Sequence, residues 1–515
     1  MASGRTELAG AAGARLREGS LALLAADVRR PGYDRRTAGT GIVHLGVGAF
    51  MRAHVAVYCD DAMEEERGDW AIAGVSLRRP DVRDRLGPQD GLYTVGEFDT
   101  ASEQRRLIGA LKSMHVAPED PGVVVRLLAD ARVRVITLTV TEKGYCLDPD
   151  SGELSLAHVD IAHDLDEPQS PRSTIGFLVA GLAERMKAGA APPTIISCDN
   201  LPGNGRRLRA AVLGFAEARD AALAGWIAAH AAFPATMVDR IVPATTPDDV
   251  ERNSQAIGLR DEAFVKTEPF RQWVIEDAFA NERPCWEAGG ALVVPDVEPF
   301  ETAKLRLLNG PHSTIAYLGF LAGFEYVHEA MADRAFAAFI RRLMIDEIAP
   351  VTPEPSGLEH DRYIEALLAR FANPALQHRT RQIAMDGSQK LPQRLLNTIR
   401  AQLEHNGPID RLSLAIAGWI RYCLGHDERG RAYEVDDPLS ARYQRISAET
   451  RSDPKAVATA FLAIREVFGT DLAAHPRFRA RLTGSLEMLL KAGASRAVGA
   501  AQAANGKPPK SRSEP

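Results

Sequence analysis

This sequence predicts an α/β N-terminal part followed by a mostly α-helical C-terminal part. Three observations carry that fold class. Near residue 295 the texture changes once, from short β-rich runs alternating with helical stretches to long amphipathic stretches in which strands are rare. A two-glycine turn follows the first predicted strand and precedes a predicted helix. The chain has 515 residues, more than one ordinary hydrophobic core accommodates, so two domains are expected.

In chain order, residues 1–36 are Ala/Gly/Arg-rich with one short helical pattern and read as a flexible N-terminal segment. Residues 37–295 form the first domain. The runs 42–45, 70–77, 133–140 and 194–197 are β-branched and apolar and read as strands, with helices such as 174–187 between them. Buried parallel strands need this composition because helices cover both faces of their sheet. Residues 296–500 form the second domain, with amphipathic helices expected over 300–321, 333–348, 358–371, 413–424, 454–468 and 476–491. Residues 501–515 are polar and rich in Pro, Lys and Ser, and read as a disordered tail.

Composition excludes several function classes. Hydrophobic residues make up 45% and charged residues 25%, as in soluble globular proteins. A net charge of -6 argues against nucleic-acid and membrane-surface binding, both of which need a concentrated basic field, so a small-molecule partner is expected. The five cysteines are scattered without C-x-x-C or clustered spacing, which indicates neither a disulfide framework nor a zinc site and favours a reducing cytoplasm. No metal is expected. There is no apolar leader in the first 19 residues and no run of eighteen apolar residues, so neither secretion nor membrane insertion is expected.

The turn Gly46-Val47-Gly48-Ala49-Phe50-Met51-Arg52 stands where a dinucleotide-binding turn stands in a Rossmann-like, doubly wound domain. Glycines let the backbone approach a pyrophosphate, and the helix start offers unpaired N–H groups. Cofactor contacts are therefore expected at Gly46, Gly48, Ala49 and Phe50, although Met51 replaces the third glycine of the motif. Arg52 is read either as a phosphate contact or as a solvated helix residue. The second strand runs into Arg78-Arg79-Pro80-Asp81: Arg78 and its neighbour suit a 2′-phosphate, whereas Asp81 suits a ribose hydroxyl, leaving NAD and NADP both open. Polar residues at two further strand ends, Thr141-Glu142-Lys143 and Cys198-Asp199-Asn200, suggest a ligand crevice, the alternatives being a solvated turn and a helix cap.

The second domain opens on Lys304-Leu305-Arg306-Leu307-Leu308-Asn309-Gly310-Pro311-His312. In α-helical geometry, at about 100° per residue, Lys304, His312 and Asn309 fall within one wedge of about 140° that also holds Leu305 and Leu308. A lysine among leucines has its charged form penalised, which brings its proton affinity toward the range of a general acid or base. Gly310-Pro311 is expected to break or kink the helix after Asn309. Two other alcohol-oxidising designs are excluded: none of the ten tyrosines has a lysine four positions later, and the cysteines are too dispersed for zinc.

The segments His44-Leu45-Gly46-Val47-Gly48-Ala49-Phe50, Cys198-Asp199-Asn200, Met237-Val238-Asp239-Arg240-Ile241, Glu268-Pro269-Phe270, Trp273-Val274-Ile275-Glu276-Asp277 and Lys304 to Gly310 with His312-Ser313 resemble the polyol-specific long-chain dehydrogenases, the mannitol dehydrogenase family. The resemblance runs from about residue 42 to 494. Within the family, Thr141 to Cys146, Phe270 to Trp273 and Ile383 to Arg394 look most like the fructuronate reductase (D-mannonate oxidoreductase) branch. It implies NAD-dependent interconversion of D-mannonate and D-fructuronate, and the family likeness favours a monomer. Lys304 would match the catalytic lysine, Asn200 and Asn309 the amides that polarise the reacting oxygen, and His312 a substrate-hydroxyl contact. Asp239 and Lys390 would match pocket residues, and Lys143, with Lys390 second, is the expected partner of a substrate carboxylate. A mannitol 2-dehydrogenase, with a neutral polyol as substrate, is the alternative enzyme. A non-catalytic nucleotide sensor would have no need of Lys304.

Overall fold

The computed structural model describes residues 13–100, 102–148 and 151–503. The chain forms two compact units, Met1–Glu298 and Pro299–Pro515; the sequence reading sets its boundary at 295/296.

The first unit is built on a five-stranded parallel sheet. Its strands are β1 (Thr40–Leu45), β2 (Ala71–Ser76), β3 (Leu111–Val116), β4 (Val135–Leu138) and β5 (Thr194–Ser197), in the spatial order β3-β2-β1-β4-β5. Alternate residues serve opposite faces. Ile42, Ile72, Val135 and Ile196 enter the core on one side, and Val43, Ala73, Ile136 and Ile195 the core on the other. Burial on both faces explains the near-continuous apolar runs. His44 is a polar exception, wholly buried, with Nδ1 2.7 Å from the Thr137 hydroxyl and Nε2 3.0 Å from that of Thr139.

The sequence reading missed β3. Its residues Leu-Lys-Ser-Met-His-Val carry three polar side chains because it is an edge strand, exposed along one side. Also missed were the hairpin of Tyr93–Phe98 and Glu103–Ile108, extended by Val265–Thr267, and a small sheet of Thr236–Asp239, Gln272–Glu276 and Leu292–Val294.

Two terminal expectations are corrected. Of the segment 1–36, residues 13–36 are ordered: Leu16, Leu24 and Val28 are buried with Leu92, Leu107, Ile257 and Leu259, and Leu16 N–H bonds the Arg260 carbonyl. Burial of three large side chains holds the segment down. Residues 501–503 of the expected tail close the helix Ala494–Ala503. Residues 1–12 and 504–515 lie outside the described residues.

The second unit is helical. Asp410–Cys423 lies at its centre, packed against Pro476–Ala492 and Gly310–Ala322. The buried Glu347 carboxylate accepts the N–H groups of Arg411 (2.8 Å) and Leu412 (2.9 Å), a negative charge at the positive end of that helix. Trp419 meets Tyr443, Phe461 and Phe468 in an aromatic core. The expected break at Gly310-Pro311 does not occur. The chain stays helical from Glu298 to Ala322, with Lys304–Asn309 forming a π-helical turn in which Gly310 N–H bonds the Leu305 carbonyl five residues back. The wider turn takes Pro311, which lacks an N–H, into the helix at the start of the next α segment.

Candidate functional site

In the first unit the strand order reverses between β1 and β4, the crevice where doubly wound sheets bind ligands. Gly46 follows β1 at φ +95°, and a Cβ there would stand 2.1 Å from the carbonyl oxygen of Thr139, the residue after β4. Only glycine fits. Gly48 differs: its φ is -81° and nothing lies within 4 Å of a Cβ built on it. That open space belongs to a cleft of about 460 Å³ lined by Gly46, Gly48, Ser76, Arg78, Arg79, Thr139, Lys143, Arg172 and Ser173 among others. Four of the lining residues are cationic and none is a carboxylate. Arg78 carries an ion pair to Asp160 (2.9 Å), and Arg79 is paired with Asp81. Arg79 and Arg172 complete the basic wall. Arg172 had no local signal, since it precedes a helix 126 residues beyond the glycine turn.

Asp199, just beyond β5, joins two strand ends. Its carboxylate accepts the N–H groups of Val140 (3.1 Å) and Thr141 (2.9 Å) and the Tyr145 hydroxyl (2.8 Å). Burial pushes its carboxyl above the usual carboxylate range against those three donors. Thr141, at φ +64°, is held in a conformation that non-glycine residues rarely adopt. Asn200 follows on the exposed rim, and Asp239 ends the strand Thr236–Asp239 with 4% exposure.

Arg52 is not a solvated helix residue, and it is not among the residues lining the cleft. It is buried, with Nη1 donating to the Ala263 carbonyl (2.5 Å) and its guanidinium over the Tyr93 ring. Ala49 and Phe50 begin the helix behind the turn, where the Phe50 ring stacks on His54 at 4.8 Å. Lys143, expected at a substrate carboxylate, lines the same cleft as Gly46 and Arg78.

In the second unit Lys304 is 7% exposed, on the first residue of the π turn, and Leu307 and Leu308 are buried on the same turn. The angles drawn from α geometry do not hold in this turn, because each residue advances less around the axis. Asn309 closes the turn, and its Oδ1 is buried without a hydrogen-bond partner. His312, also 7% exposed, stacks on Phe371 at 5.3 Å and meets His378 edge-on at 4.9 Å. Burial, joined by the nearby His378, Arg394, Arg370 and Lys390, holds the His312 imidazole well below its ordinary value, so it is neutral. Lys390 donates to the Met385 carbonyl (2.7 Å) and lies 3.8 Å from Asp386. The sequence reading did not single out His378, Arg370 or Arg394. Arg394 ends a segment quoted for the branch resemblance, which is the signal that was available.

Among the described residues no three or more His, Cys, Asp or Glu side chains stand together as a metal site. Among the same residues no helix is long and apolar enough to cross a membrane.

Residues 40–288 match the family model of the mannitol dehydrogenase Rossmann domain, and residues 296–490 that of the mannitol dehydrogenase C-terminal domain. The chain belongs to the mannitol dehydrogenase family. The D-mannonate oxidoreductase of Escherichia coli is 43% identical over 92% of this chain and 98% of its own length. A mannitol 2-dehydrogenase of Phaeosphaeria nodorum is 41% identical over 91% of this chain and 82% of its own. The structure of Pseudomonas fluorescens mannitol 2-dehydrogenase, a ternary complex with NAD and D-mannitol, superposes with a TM-score of 0.85 at 37% identity, covering 95% of this chain and 99% of that one. This mannitol dehydrogenase family member is thus an oxidoreductase acting on a secondary alcohol, with a Rossmann-like first unit and a mostly helical second one.

Proposed function

We propose that this chain is an NAD-dependent fructuronate reductase, interconverting D-mannonate and D-fructuronate with Lys304 as general acid and base. The observation that carries the chemistry is the buried Lys304 on a π turn that ends in an Asn309 whose Oδ1 has no partner. A buried lysine has its charged form penalised and so takes up and returns a proton readily. The lone acceptor of Asn309 is completed by a substrate hydroxyl, since a buried polar group without a partner carries a standing cost. In oxidation Lys304 accepts the alcohol proton while Asn309 and Asn200 steady the developing charge on oxygen. In reduction the proton returns. The neutral His312 exchanges hydrogen bonds with a neighbouring hydroxyl, and Asp239 and Lys390 line the substrate pocket.

The cleft at the β1/β4 switch fits a dinucleotide. Gly48 leaves room for a pyrophosphate, the N–H groups of Ala49 and Phe50 begin a helix, and the basic wall with Arg78 suits phosphate. NAD, when bound, supplies the hydride acceptor. The substrate is small, and the enzyme works as a monomer in the cytoplasm. Support for the acid substrate comes from the branch segments and from the basic residues gathered about His312.

The deciding experiment measures nicotinamide absorbance with D-fructuronate and D-fructose as paired substrates. A kcat/KM at least tenfold higher for D-fructuronate is expected. Equal or better kcat/KM with D-fructose makes the chain a mannitol 2-dehydrogenase, the reading favoured by its likeness to the two mannitol enzymes.

A further inference from the structure

We propose that Asp199 is a positioning residue for the coenzyme, its carboxylate holding Thr141 in a strained conformation that shapes one wall of the nucleotide cleft. The proposal rests on the dinucleotide reading of that cleft given above. The wall is the segment that leaves β4, which lines the cleft through Thr139, Val140, Thr141, Lys143 and Gly144.

Backbone pairing reaches only the start of this segment. The β4/β5 ladder runs as far as Cys198 N–H, which bonds the Leu138 carbonyl at 2.8 Å. Thr139 N–H turns instead to the Leu45 carbonyl at the end of β1 (2.9 Å). From there a side chain takes over. One Asp199 oxygen accepts Thr141 N–H at 2.9 Å, and the other accepts Val140 N–H at 3.1 Å and the Tyr145 hydroxyl at 2.8 Å. The Tyr145 hydroxyl also lies 2.5 Å from that of Ser197, so both ends of the turn are tied to β5 and the residue just beyond it.

Thr141 has φ +64° and ψ +166°, a region that suits glycine and strains a β-branched residue. Such a residue stays there only where its surroundings over-determine it. Two neighbouring N–H groups bonded to one carboxylate supply that constraint. An amide in place of the carboxylate would not, because it keeps one acceptor oxygen and turns a donor toward an N–H. The wall has no slack to absorb a shift. A Cβ on Gly144 would stand 2.7 Å from the Val140 side chain, and one on Gly46 would stand 2.1 Å from the Thr139 carbonyl oxygen. Movement at Thr141 is therefore passed along the face that Gly46 and Gly48 look onto. A turn needed only to connect two elements would be served by glycine at 141, without strain and without a nearly buried charge.

The test uses the full-length enzyme without substrate and follows NADH binding by fluorescence titration in wild type, Asp199→Asn, Thr141→Gly and the double variant. Melting temperature is the folding control. Asp199→Asn is expected to weaken NADH binding about 10- to 100-fold. In the Thr141→Gly background, where the backbone needs less restraint, the same change should weaken binding no more than about threefold, the mark of a coupling that runs through Thr141. Thr141→Gly alone gives a readout that does not depend on the folding of Asp199→Asn. Relief of strain should outweigh the added freedom of glycine, so this variant melts at or above the wild-type temperature. Unchanged NADH affinity in folded Asp199→Asn overturns the proposal, and so do equal losses in both backgrounds. A Thr141→Gly variant melting more than about 2 °C below wild type overturns it as well. A wild type that does not bind NADH instead overturns the dinucleotide reading of the cleft, before any variant is compared.

Discussion

Gly46 and Thr139 close the two ends of the switch-point crevice against each other, so tightly that a Cβ on Gly46 would fall 2.1 Å from the Thr139 carbonyl oxygen. The contact and the positive φ of Gly46 exclude any side chain there, while Gly48, two residues on, faces open space. The fold requires a glycine at position 46 and leaves room for a side chain at position 48.

The two glycines should therefore fail differently. Gly46→Ala is expected to destabilise the first unit by about 3 kcal/mol or more, through strain and a backbone clash. Gly48→Ala should leave the melting temperature of the unliganded protein within about 2 °C, yet weaken NADH binding about tenfold or more by filling the approach to the pyrophosphate. Thermal denaturation and fluorescence titration with NADH separate the two. Equal melting losses in both variants would remove the distinction.

Lys304→Ala is expected to bind NADH normally and to lose about two to four orders of magnitude in turnover, the usual scale for general acid–base catalysis. Single-turnover measurements with saturating cofactor report it. Unchanged turnover in a folded variant takes Lys304 out of the proton transfer.

Asn309→Ala and Asn200→Ala should each lower kcat by about two to three orders, with smaller effects on KM, because an amide N–H donor aimed at developing negative charge acts mainly in the transition state. If KM alone rises, the two amides merely bind substrate.

Stability should fall in mild acid. His44 and His54 are wholly buried, and burial pushes each imidazole down to about 3 from its ordinary value near 6.5. A histidine depressed in the folded state binds its proton first in the unfolded chain. Stability is then fully present above pH 6.5 and is lost as pH falls toward 3, at about 1.4 kcal/mol per pH unit for each histidine. Urea denaturation of wild type and His44→Asn between pH 7 and 4.5 measures it. The variant should show the shallower slope, and parallel slopes would mean that His44 is not the group titrating.

What the sequence determined by itself is what short-range pattern controls. The turn after β1, four of the five parallel strands and the apolar helix carrying Lys304, Asn309 and His312 follow from residue type and period, because each depends on neighbours a few positions away. The tertiary structure decided what long-range contact controls. Arg52 reads as a phosphate contact or a solvated helix residue until the Ala263 carbonyl, 211 residues away, takes its guanidinium inward. The edge strand β3 has a pattern too polar to read, and becomes a strand only because β2 offers it a hydrogen-bonding edge. Gly310-Pro311 reads as a helix break, but packing keeps the helix continuous by widening one turn to a π turn. The gathering of Arg370, His378 and Arg394 around His312 joins segments whose spacing carries no period; Arg394 and Ser313 alone are 81 residues apart. Local preference sets elements, whereas the company a side chain keeps is set by how those elements are buried against one another.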